Sequence, residues 1–220
     1  MIRVDGREAD ELRKVTLTPD YVVYPEGSVL VTMGQTKVLC NVTIEETVPR
    51  WMRVQQVEGG WVTAEYSLLP RSTHRRTLRE TSGLRGRTQE TCIVDCDVIQ
   101  ADGGTRTAAV TGGYVALDIA LGKLIRGGLL PPKVITTPIA AVSVGLVDGR
   151  PLLDLCYEED SMAEADVNVV MNAAGEFIEV QGTAEGEPFS RVLLEELLDL
   201  AQDGIGELLL IQQAVLNKIA

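Results

Sequence analysis

The chain has 220 residues, of which 45% are hydrophobic and 24% are charged, a composition typical of a soluble globular protein. Acidic residues outnumber lysines and arginines by 32 to 20, so the net charge of −12 excludes a uniformly basic nucleic-acid binder but leaves a local basic patch open. No apolar run approaches the ~20 residues of a membrane span, and the charged N-terminus does not match a signal peptide. The cysteines lack C-x-x-C spacing, so we expect them to be buried and reduced, as in a cytoplasmic protein. They are Cys40, Cys92, Cys96 and Cys156.

Strand patterns dominate the first half of the chain. Apolar and β-branched residues predict strands over residues 22–24, 28–33, 37–44, 61–66 and 92–99. Gly34-Gln35-Thr36 is the turn of a hairpin or meander. Within the last strand, Asp95 and Asp97 share one face because strand side chains alternate with a period of two. These two acids are either ligands or a polar rim, and the pattern does not decide between them.

Helices and hairpins fill the second half. Apolar residues at helical spacing predict a helix that starts after Gly103-Gly104-Thr105 and ends at Gly127-Gly128. The later predicted elements are hairpins over residues 139–157 and 166–181, a helix over 190–202 and, after a break at Asp203-Gly204, a last helix. We therefore expect one α+β domain over residues 1–220, with an element order that suggests two similar halves.

The basic residues are concentrated in one segment. Between Arg71 and Arg87 the chain carries six arginines and one acid, Glu80. Arginine binds phosphate through a rigid bidentate fork, and the Ser, Thr and Gly residues between the arginines are typical of a loop. The segment is either a surface that contacts phosphate backbones, which we favour, or a solvated loop that balances acidic neighbours. The arginines are Arg71, Arg75, Arg76, Arg79, Arg85 and Arg87.

Gly103-Gly104-Thr105-Arg106-Thr107 lies between a predicted strand and a predicted helix. Glycines allow backbone N–H groups to approach an anion, and the N-terminus of a helix carries partial positive charge. Thr105 and Arg106 add a hydroxyl group and a cation. The segment is either a phosphate cradle or a helix cap with two turn glycines, and it lacks the Gly-Lys-Ser/Thr ending of a Walker loop.

An acidic segment follows the first of the two later hairpins. It carries five carboxylates within nine residues, namely Glu158, Glu159, Asp160, Glu164 and Asp166. Such groups repel one another unless a cation or arginines compensate them. Because Asp160 and Asp166 bracket the segment, both can point into one site. The segment is either a solvated acidic loop or half of a site for Mg²⁺-assisted phosphoryl chemistry.

Motifs in a fixed order along almost the whole chain resemble the RNase PH family of phosphate-dependent exoribonucleases. They are Asp5-Gly6-Arg7, Pro25-Glu26-Gly27-Ser28, Gly60 to Tyr66, Leu69-Pro70-Arg71, Gly86-Arg87-Thr88-Gln89-Glu90, Asp95 to Thr107, Glu158 to Ser161 with Asp166, and Glu179 to Thr183. The resemblance implies a single α+β domain of two βαβ-type halves with mixed sheets and helices. It also implies that inorganic phosphate, rather than water, attacks the last phosphodiester of a tRNA 3′ end and releases a nucleoside diphosphate.

The resemblance assigns the chemistry to a phosphate site and an acidic pair. Asp160 and Asp166 are implied to be catalytic and to hold Mg²⁺ or Mn²⁺, and Asp166 also assists proton transfer to the leaving 3′ oxygen. Arg87 is implied to be catalytic as well. The residues implied to bind the attacking phosphate, which is the co-substrate, are Arg87, Gly104, Thr105 and Arg106.

The resemblance also implies the partners. Arg71, Arg75, Arg76 and Arg79 match a basic loop that grips tRNA precursors, and contacts with other RNA 3′ ends are expected to be to phosphates and hence sensitive to salt. The expected assembly is a cytoplasmic homo-hexamer, built as a trimer of dimers and not attached to a membrane.

Two other classes of protein compete with the enzyme. A non-catalytic RNA-binding ring subunit of an exosome-like assembly would be expected to lack the phosphate arginine or the acidic pair. We favour the enzyme because Arg87, Arg106, Asp160 and Asp166 are all present. A phosphate-sensing regulator would not need the arginine-rich segment.

The chain departs from the family pattern at one junction. The family has a long amphipathic helix after the Gly-Arg-Thr-x-Glu motif, whereas here Glu90 runs directly into Thr91. A helix start that becomes a strand within one residue, without Gly, Pro, Asn or Asp, is poor local chemistry. We therefore expect a helical segment to be missing between these residues, and their Cα atoms to lie well beyond the ~3.8 Å of a trans peptide. A genuine deletion would place the role of Arg87 in question first.

Overall fold

The computed structural model describes residues 3–57, 59–73, 85–86, 91–132, 134–135 and 137–219. Its strands are β1 (Val15–Pro19), β2 (Gly27–Met33), β3 (Thr36–Glu45), β4 (Trp61–Leu68), β5 (Arg85–Gly86), β6 (Thr91–Gln100), β7 (Ile139–Val147), β8 (Arg150–Leu153), β9 (Ala165–Asn172) and β10 (Phe177–Ala184). Its helices are α1 (Arg50–Val54), α2 (Thr105–Arg126), α3 (Tyr157–Asp160) and α4 (Arg191–Leu216). Glu90 lies outside the described residues, so the expected break before Thr91 stays a prediction.

The first half of the chain forms a six-stranded sheet in the order β1-β2-β3-β6-β4-β5. Its described strands pair antiparallel except for β4 and β6, which are parallel. Side chains alternate between the two faces of β3, so Val38, Cys40 and Val42 are buried on the same face. Their paired residues on β6, which are Val98, Cys96 and Val94, are buried as well. This buried face packs against helix α2. Only four residues separate the end of β6 at Gln100 from the start of α2 at Thr105.

The second half forms a four-stranded antiparallel sheet in the order β10-β9-β7-β8. Helix α4 packs on β7 and β8, while α2 contacts both this sheet and the first one. One hydrophobic core joins both sheets and both long helices. Each half therefore has strands, a short helix, more strands and then a long helix, and the predicted α+β fold with two similar halves is confirmed.

Several predicted elements are wrong in detail. Residues 22–24 are not a strand: Val23 and Tyr24 are 84% and 91% exposed, and β2 begins only at Gly27. The first later hairpin ends at Leu153 rather than at residue 157, because Tyr157 already starts helix α3. Strand β1 was not predicted at all. Only Leu17 of this five-residue strand is buried, and exposed threonines flank it, so its apolar alternation is weak.

The predicted break at Asp203-Gly204 is also wrong, since α4 is one continuous helix from Arg191 to Leu216. Gly204 is buried within it, and a Cβ there would lie 2.6 Å from a methyl carbon of Leu153. The glycine thus allows close packing of α4 on β8 and does not end the helix. The predicted cap is correct, because Ser190 Oγ accepts a hydrogen bond from the Leu193 N–H.

The four cysteines are buried and form no disulfide, as predicted. Among the described residues one helix, α2, is long and apolar enough to cross a membrane, although no apolar run of that length was expected. Most of its apolar stretch is buried between the two sheets, which is also the property of a core helix.

Candidate active site

The cradle, which we define as residues Gly103–Arg106, forms the N-terminus of α2. Gly104 caps the helix in the left-handed conformation at φ 61°, and the first helical bond runs from the Ala108 N–H to its carbonyl oxygen at 2.9 Å. The N–H groups of the first turn therefore lack intrahelical acceptors and carry the positive end of the helix dipole. A side chain at Gly103 would collide with the backbone oxygen of Leu155, so only glycine fits there. The predicted combination of tight turn and helix N-terminus is present.

Side chains from neighbouring strands hold the polar groups of the cradle. Thr105 Oγ1 lies 2.5 Å from the hydroxyl oxygen of Tyr66 on β4. Arg106 donates from Nη2 to both carboxylate oxygens of Glu179, at 2.7 and 2.9 Å, and from Nη1 to Gln181 Oε1 at 3.1 Å. Both partners of Arg106 lie on β10, so the second sheet orients a cation that the first half of the chain supplies.

Two residues hold the cradle from the side of the N-terminal segment and β3. Arg13 donates hydrogen bonds to the backbone carbonyl oxygens of Asp102 and Gly103. Thr36 Oγ1 donates to the same Gly103 oxygen at 2.7 Å and accepts from the Asp102 N–H at 2.9 Å. Neither residue was predicted, because a single arginine or threonine at the edge of a strand carries no motif of its own.

The acidic pair, Asp160 and Asp166, comes from α3 and β9 and is only half-buried. Burial first, and then the charges of Asp160 and Glu185, raise the pKa of Asp166 to about 6 against a smaller opposing effect of a hydrogen bond from Asn168. Burial also raises the pKa of Asp160, with Arg13 acting in the opposite direction. Asp166 Oδ1 is buried and has no hydrogen-bond partner among the described residues. The two carboxylates are therefore close enough to interact, and among the described residues the cation Arg13 acts on Asp160 while Asp166 faces only like charges.

These carboxylates fit the requirements of a divalent cation. An orphaned, buried carboxylate oxygen beside a second carboxylate is an oxygen-only donor set, which Mg²⁺ and Mn²⁺ favour. Within the described part of the chain no group of three His, Cys, Asp or Glu side chains is arranged to hold a metal. A cation held by this pair would therefore complete its shell with water or with substrate oxygens, as Mg²⁺ commonly does.

The cradle and the acidic pair belong to one site because the same backbone segments contact both. The Tyr157 N–H, which opens α3, donates to Asp102 Oδ1 at 3.2 Å. Ser143 Oγ on β7 lies 3.5 Å from the position that a Cβ on Gly104 would occupy, and it pairs across the sheet with Asn168, the partner of Asp166. Ser143 was not predicted, and its buried hydroxyl has no acceptor or donor among the residues described.

The remaining predicted residues fall into two groups. Arg75, Arg76, Arg79 and Arg87 lie outside the described residues. Arg71 is described and lines a cleft of about 770 Å³ together with Arg7, Lys14 and Asp102, so it opens onto the loop that precedes the cradle. The functional roles of all of these arginines stay predictions.

Asp95 and Asp97 lie on the face of β6 opposite the core. Glu65 on β4 is the parallel partner of Asp95, and Ser67 donates to Asp97 at 2.7 Å. Burial raises the pKa of Asp95, and the charges of Glu65 and Asp97 add to that rise. In this arrangement Asp97 has a protein partner, which favours the polar-rim interpretation over the ligand interpretation for that residue.

Sequence models of a known family match both halves of the chain. The model described as 3′ exoribonuclease family, domain 1, matches residues 11–91, and the one described as 3′ exoribonuclease family, domain 2, matches residues 137–204. Two solved structures share the fold. Rice Rrp46 superimposes with a TM-score of 0.77 at 16% identity, covering 98% of this chain and 100% of that one. A chain of the Archaeoglobus fulgidus exosome with RNA bound to the active site gives 0.72 at 22% identity, covering 94% and 91%. These matches define the class as a 3′ exoribonuclease fold.

A curated relative makes the assignment specific. Ribonuclease PH of Moorella thermoacetica is 50% identical over an alignment that covers 100% of this chain and 96% of the relative. The chain belongs to the ribonuclease PH family. The alignment runs over 243 residues, more than the 220 of this chain, and the domain 1 match ends at Thr91. The alignment length agrees with a segment of the relative that has no counterpart in this chain.

Proposed function

We propose that the chain is a phosphorolytic 3′→5′ exoribonuclease that trims tRNA 3′ ends and releases nucleoside diphosphates. The observation that carries this proposal is the placement of a helix N-terminal anion cradle beside the acidic pair, with the two connected through Asp102, Ser143 and Asn168. Membership of the ribonuclease PH family supports the same activity. Inorganic phosphate is the co-substrate, and RNA is the substrate.

The reaction follows from the geometry of the cradle. The N–H groups of the first turn of α2, the Thr105 hydroxyl and the Arg106 guanidinium bind inorganic phosphate, and Arg87 binds it from the arginine-rich segment. One phosphate oxygen attacks the terminal phosphorus of the RNA, and the bond from that phosphorus to the 3′ oxygen of the preceding nucleotide breaks. The products are a nucleoside diphosphate and an RNA one nucleotide shorter. Positioning and charge stabilisation carry most of the rate in such transfers.

The acidic pair serves the leaving group. Asp160 and Asp166 hold Mg²⁺ or Mn²⁺, which when bound supplies neutralisation of the scissile phosphate. The leaving 3′ oxygen must take up a proton, and Asp166 assists that proton transfer. Asn168 orients that carboxyl through its hydrogen bond to Oδ2.

RNA binding and assembly complete the proposal. Arg71, Arg75, Arg76 and Arg79 contact the phosphates of the tRNA body, which a chain of net charge −12 can do only through such a local basic segment. The protein works in the cytoplasm as a homo-hexameric ring, a trimer of dimers. The four reduced cysteines agree with that compartment, and the exosome-type neighbours agree with a ring.

The second candidate is a non-catalytic ring subunit, because Rrp46 and an exosome chain share the fold. Sequence identities of 16% and 22% support a shared fold and not a shared function. This chain also retains the phosphate-binding and acidic residues that a non-catalytic subunit does not need. The enzyme is therefore the better proposal.

The experiment is to incubate the full chain with a 3′-extended tRNA and Mg²⁺, with and without inorganic phosphate, and to identify the released nucleotides. The enzyme releases nucleoside diphosphates, and only when phosphate is present. Release of nucleoside monophosphates in phosphate-free buffer would show that the reaction is hydrolysis and not phosphorolysis. RNA binding without any release would support the ring subunit.

A further inference from the structure

Arg13 is a buried cation beneath the cradle that the proposed reaction does not use. Its side chain is 3% exposed, and it lies just before β1, far in sequence from the residues around it. A buried guanidinium needs acceptors for all of its donors. The hydrogen-bond acceptors of the Arg13 guanidinium therefore indicate the role of this residue.

One edge of the guanidinium is fixed by Asp154. Arg13 Nε donates to Asp154 Oδ2 at 3.0 Å, Nη2 donates to Oδ1 at 2.7 Å, and the Arg13 N–H donates to Oδ2 at 2.8 Å. Asp154 is fully buried, and its own N–H donates to the Ser143 carbonyl oxygen at 2.7 Å. Burial alone lowers the pKa of Arg13, but the hydrogen bonds and charge of Asp154 outweigh it, so the guanidinium stays charged.

The other edge points at the cradle. Nη1 donates to the carbonyl oxygen of Asp102, and Nη2 donates to that of Gly103 at 3.3 Å. In a trans peptide the carbonyl of one residue and the N–H of the next point in opposite directions. Because Arg13 turns these two carbonyls toward itself, the N–H groups of Gly103 and Gly104 are turned away from it.

We propose that Arg13 is a positioning residue for phosphate, whose fork sets the two peptide planes that lead into the N-terminus of α2. This inference rests on the proposed function of the cradle. Arg13 does not touch the phosphate; it acts through the backbone of Asp102 and Gly103. A lysine keeps the charge but has one nitrogen, which cannot bridge a carboxylate and two consecutive carbonyls in a plane.

The chain supplies a matched control in Arg3. Its side chain is also 3% exposed and pairs with both carboxylate oxygens of a buried acid, Glu159, at 2.8 and 2.7 Å. Its other acceptors are backbone carbonyls at Glu8, Glu11, Leu153 and Asp154, none of which belongs to the cradle. Arg3→Lys therefore disturbs the same kind of buried fork without removing a donor to the cradle, and with Arg13 it shares Asp154 only through that residue's carbonyl oxygen.

The experiment compares Arg13→Lys, Arg3→Lys and the wild-type chain in two assays. The first is calorimetric titration with inorganic phosphate, and the second gives kcat and the separate KM values for phosphate and tRNA. We expect Arg13→Lys to raise the phosphate Kd and KM about tenfold, the effect of one backbone N–H that no longer bonds to the charged phosphate, with the tRNA KM changed less than about twofold. Arg3→Lys should change the phosphate constants less than about twofold.

Thr36→Val keeps the inference testable if Arg13→Lys does not fold. It removes the other side-chain donor to the Gly103 carbonyl and should raise the phosphate Kd in the same direction by a smaller factor. The inference is overturned if Arg13→Lys, or Thr36→Val in its place, binds phosphate as the wild type does. It is also overturned if Arg3→Lys weakens phosphate binding equally. A wild-type chain that binds no phosphate would overturn the proposed function itself.

Discussion

The cradle and the acidic pair lie in one site but are built in opposite ways. In the cradle, the carbonyl of Gly103, the Thr105 hydroxyl and the Arg106 guanidinium all have protein partners. In the acidic pair, Asp166 Oδ1 is buried without a hydrogen-bond partner among the described residues. The negative charges of Asp160 and Glu185 repel the charge of the Asp166 carboxylate. The side chains of the cradle are thus held in place by protein partners, whereas a buried oxygen of the acidic pair has none among the described residues.

This difference indicates how the two regions contribute. Donors held by many hydrogen bonds lose little entropy on binding, so the cradle is preorganised for an anion. Like-charged carboxylates that lie close together lower the stability of the free protein, and a bound cation would offset that effect. We therefore expect changes in the acidic pair to affect turnover far more than folding, and changes in the cradle to affect both.

The largest expected effect is the loss of turnover in Asp160→Asn and Asp166→Asn. Each variant removes one carboxylate charge, so we expect turnover of 3′-extended tRNA to fall by about 1,000-fold or more with Mg²⁺ present. Thermal unfolding without metal should be unchanged or shifted upward, because repulsion within the pair is relieved. The control is Asp148→Asn in the exposed β7–β8 turn, where the left-handed φ of 50° suits Asn as well as Asp. Wild-type turnover in either pair variant would remove that carboxylate from the site.

Gly103→Ala should damage the fold itself. The new Cβ would collide with the backbone oxygen of Leu155 and sits at a φ of 73°. Gly149→Ala has the same positive-φ strain at 69° but no atom within 4 Å of its Cβ. We expect the free energy of unfolding in denaturant to be ~1–3 kcal/mol lower for Gly103→Ala than for Gly149→Ala. Both variants carry the backbone strain, so the difference measures the steric collision at residue 103 alone. Equal stabilities would mean that the cradle is looser than its contacts indicate.

The pH dependence of stability provides a smaller test. The pKa of Asp166 is about 6 in the folded protein against an ordinary value of 3.8, so the folded state binds its proton more tightly than the unfolded state does. This group's contribution to stability therefore falls as the pH rises from about 4 to about 6. In the absence of metal we expect this change to lower the melting temperature by a few degrees over that pH range. Adding Mg²⁺ at the higher pH should restore the melting temperature. The decrease should be reduced in Asp166→Asn and retained in Asp148→Asn.

The smallest expected effect concerns the arginine-rich segment. Arg75→Ala with Arg76→Ala should weaken tRNA binding and reduce the slope of log Kobs against log salt by about 0.9 for each duplex phosphate that the protein no longer neutralises. Arg87→Ala should instead impair turnover more than tRNA binding, because its proposed role is to bind the attacking phosphate. Filter binding over a salt series, with turnover measured in parallel, separates the two roles. The same change in both quantities for both variants would show that this division is wrong.

Much of the fold and part of the site could be predicted from the sequence. Helix α2 and its glycine cap were predicted because apolar spacing and glycine punctuation are local signals. The continuity of α4 through Gly204 was missed, since only the contact with Leu153 shows why a glycine is there. Arg13, Thr36 and Ser143 were missed for the same reason: their roles depend on partners more than 60 residues away or on the opposite strand.

The most direct test of the contrast between the two regions is phosphate binding in the absence of divalent cations. Inorganic phosphate should be titrated calorimetrically into the wild type, into Arg106→Ala and into the double variant Asp160→Asn with Asp166→Asn. We predict that the double variant binds phosphate at least as tightly as the wild type while lacking turnover, and that Arg106→Ala binds at least tenfold more weakly. Loss of phosphate binding in the double variant, or unchanged binding in Arg106→Ala, would contradict a cradle that is complete without the acidic pair.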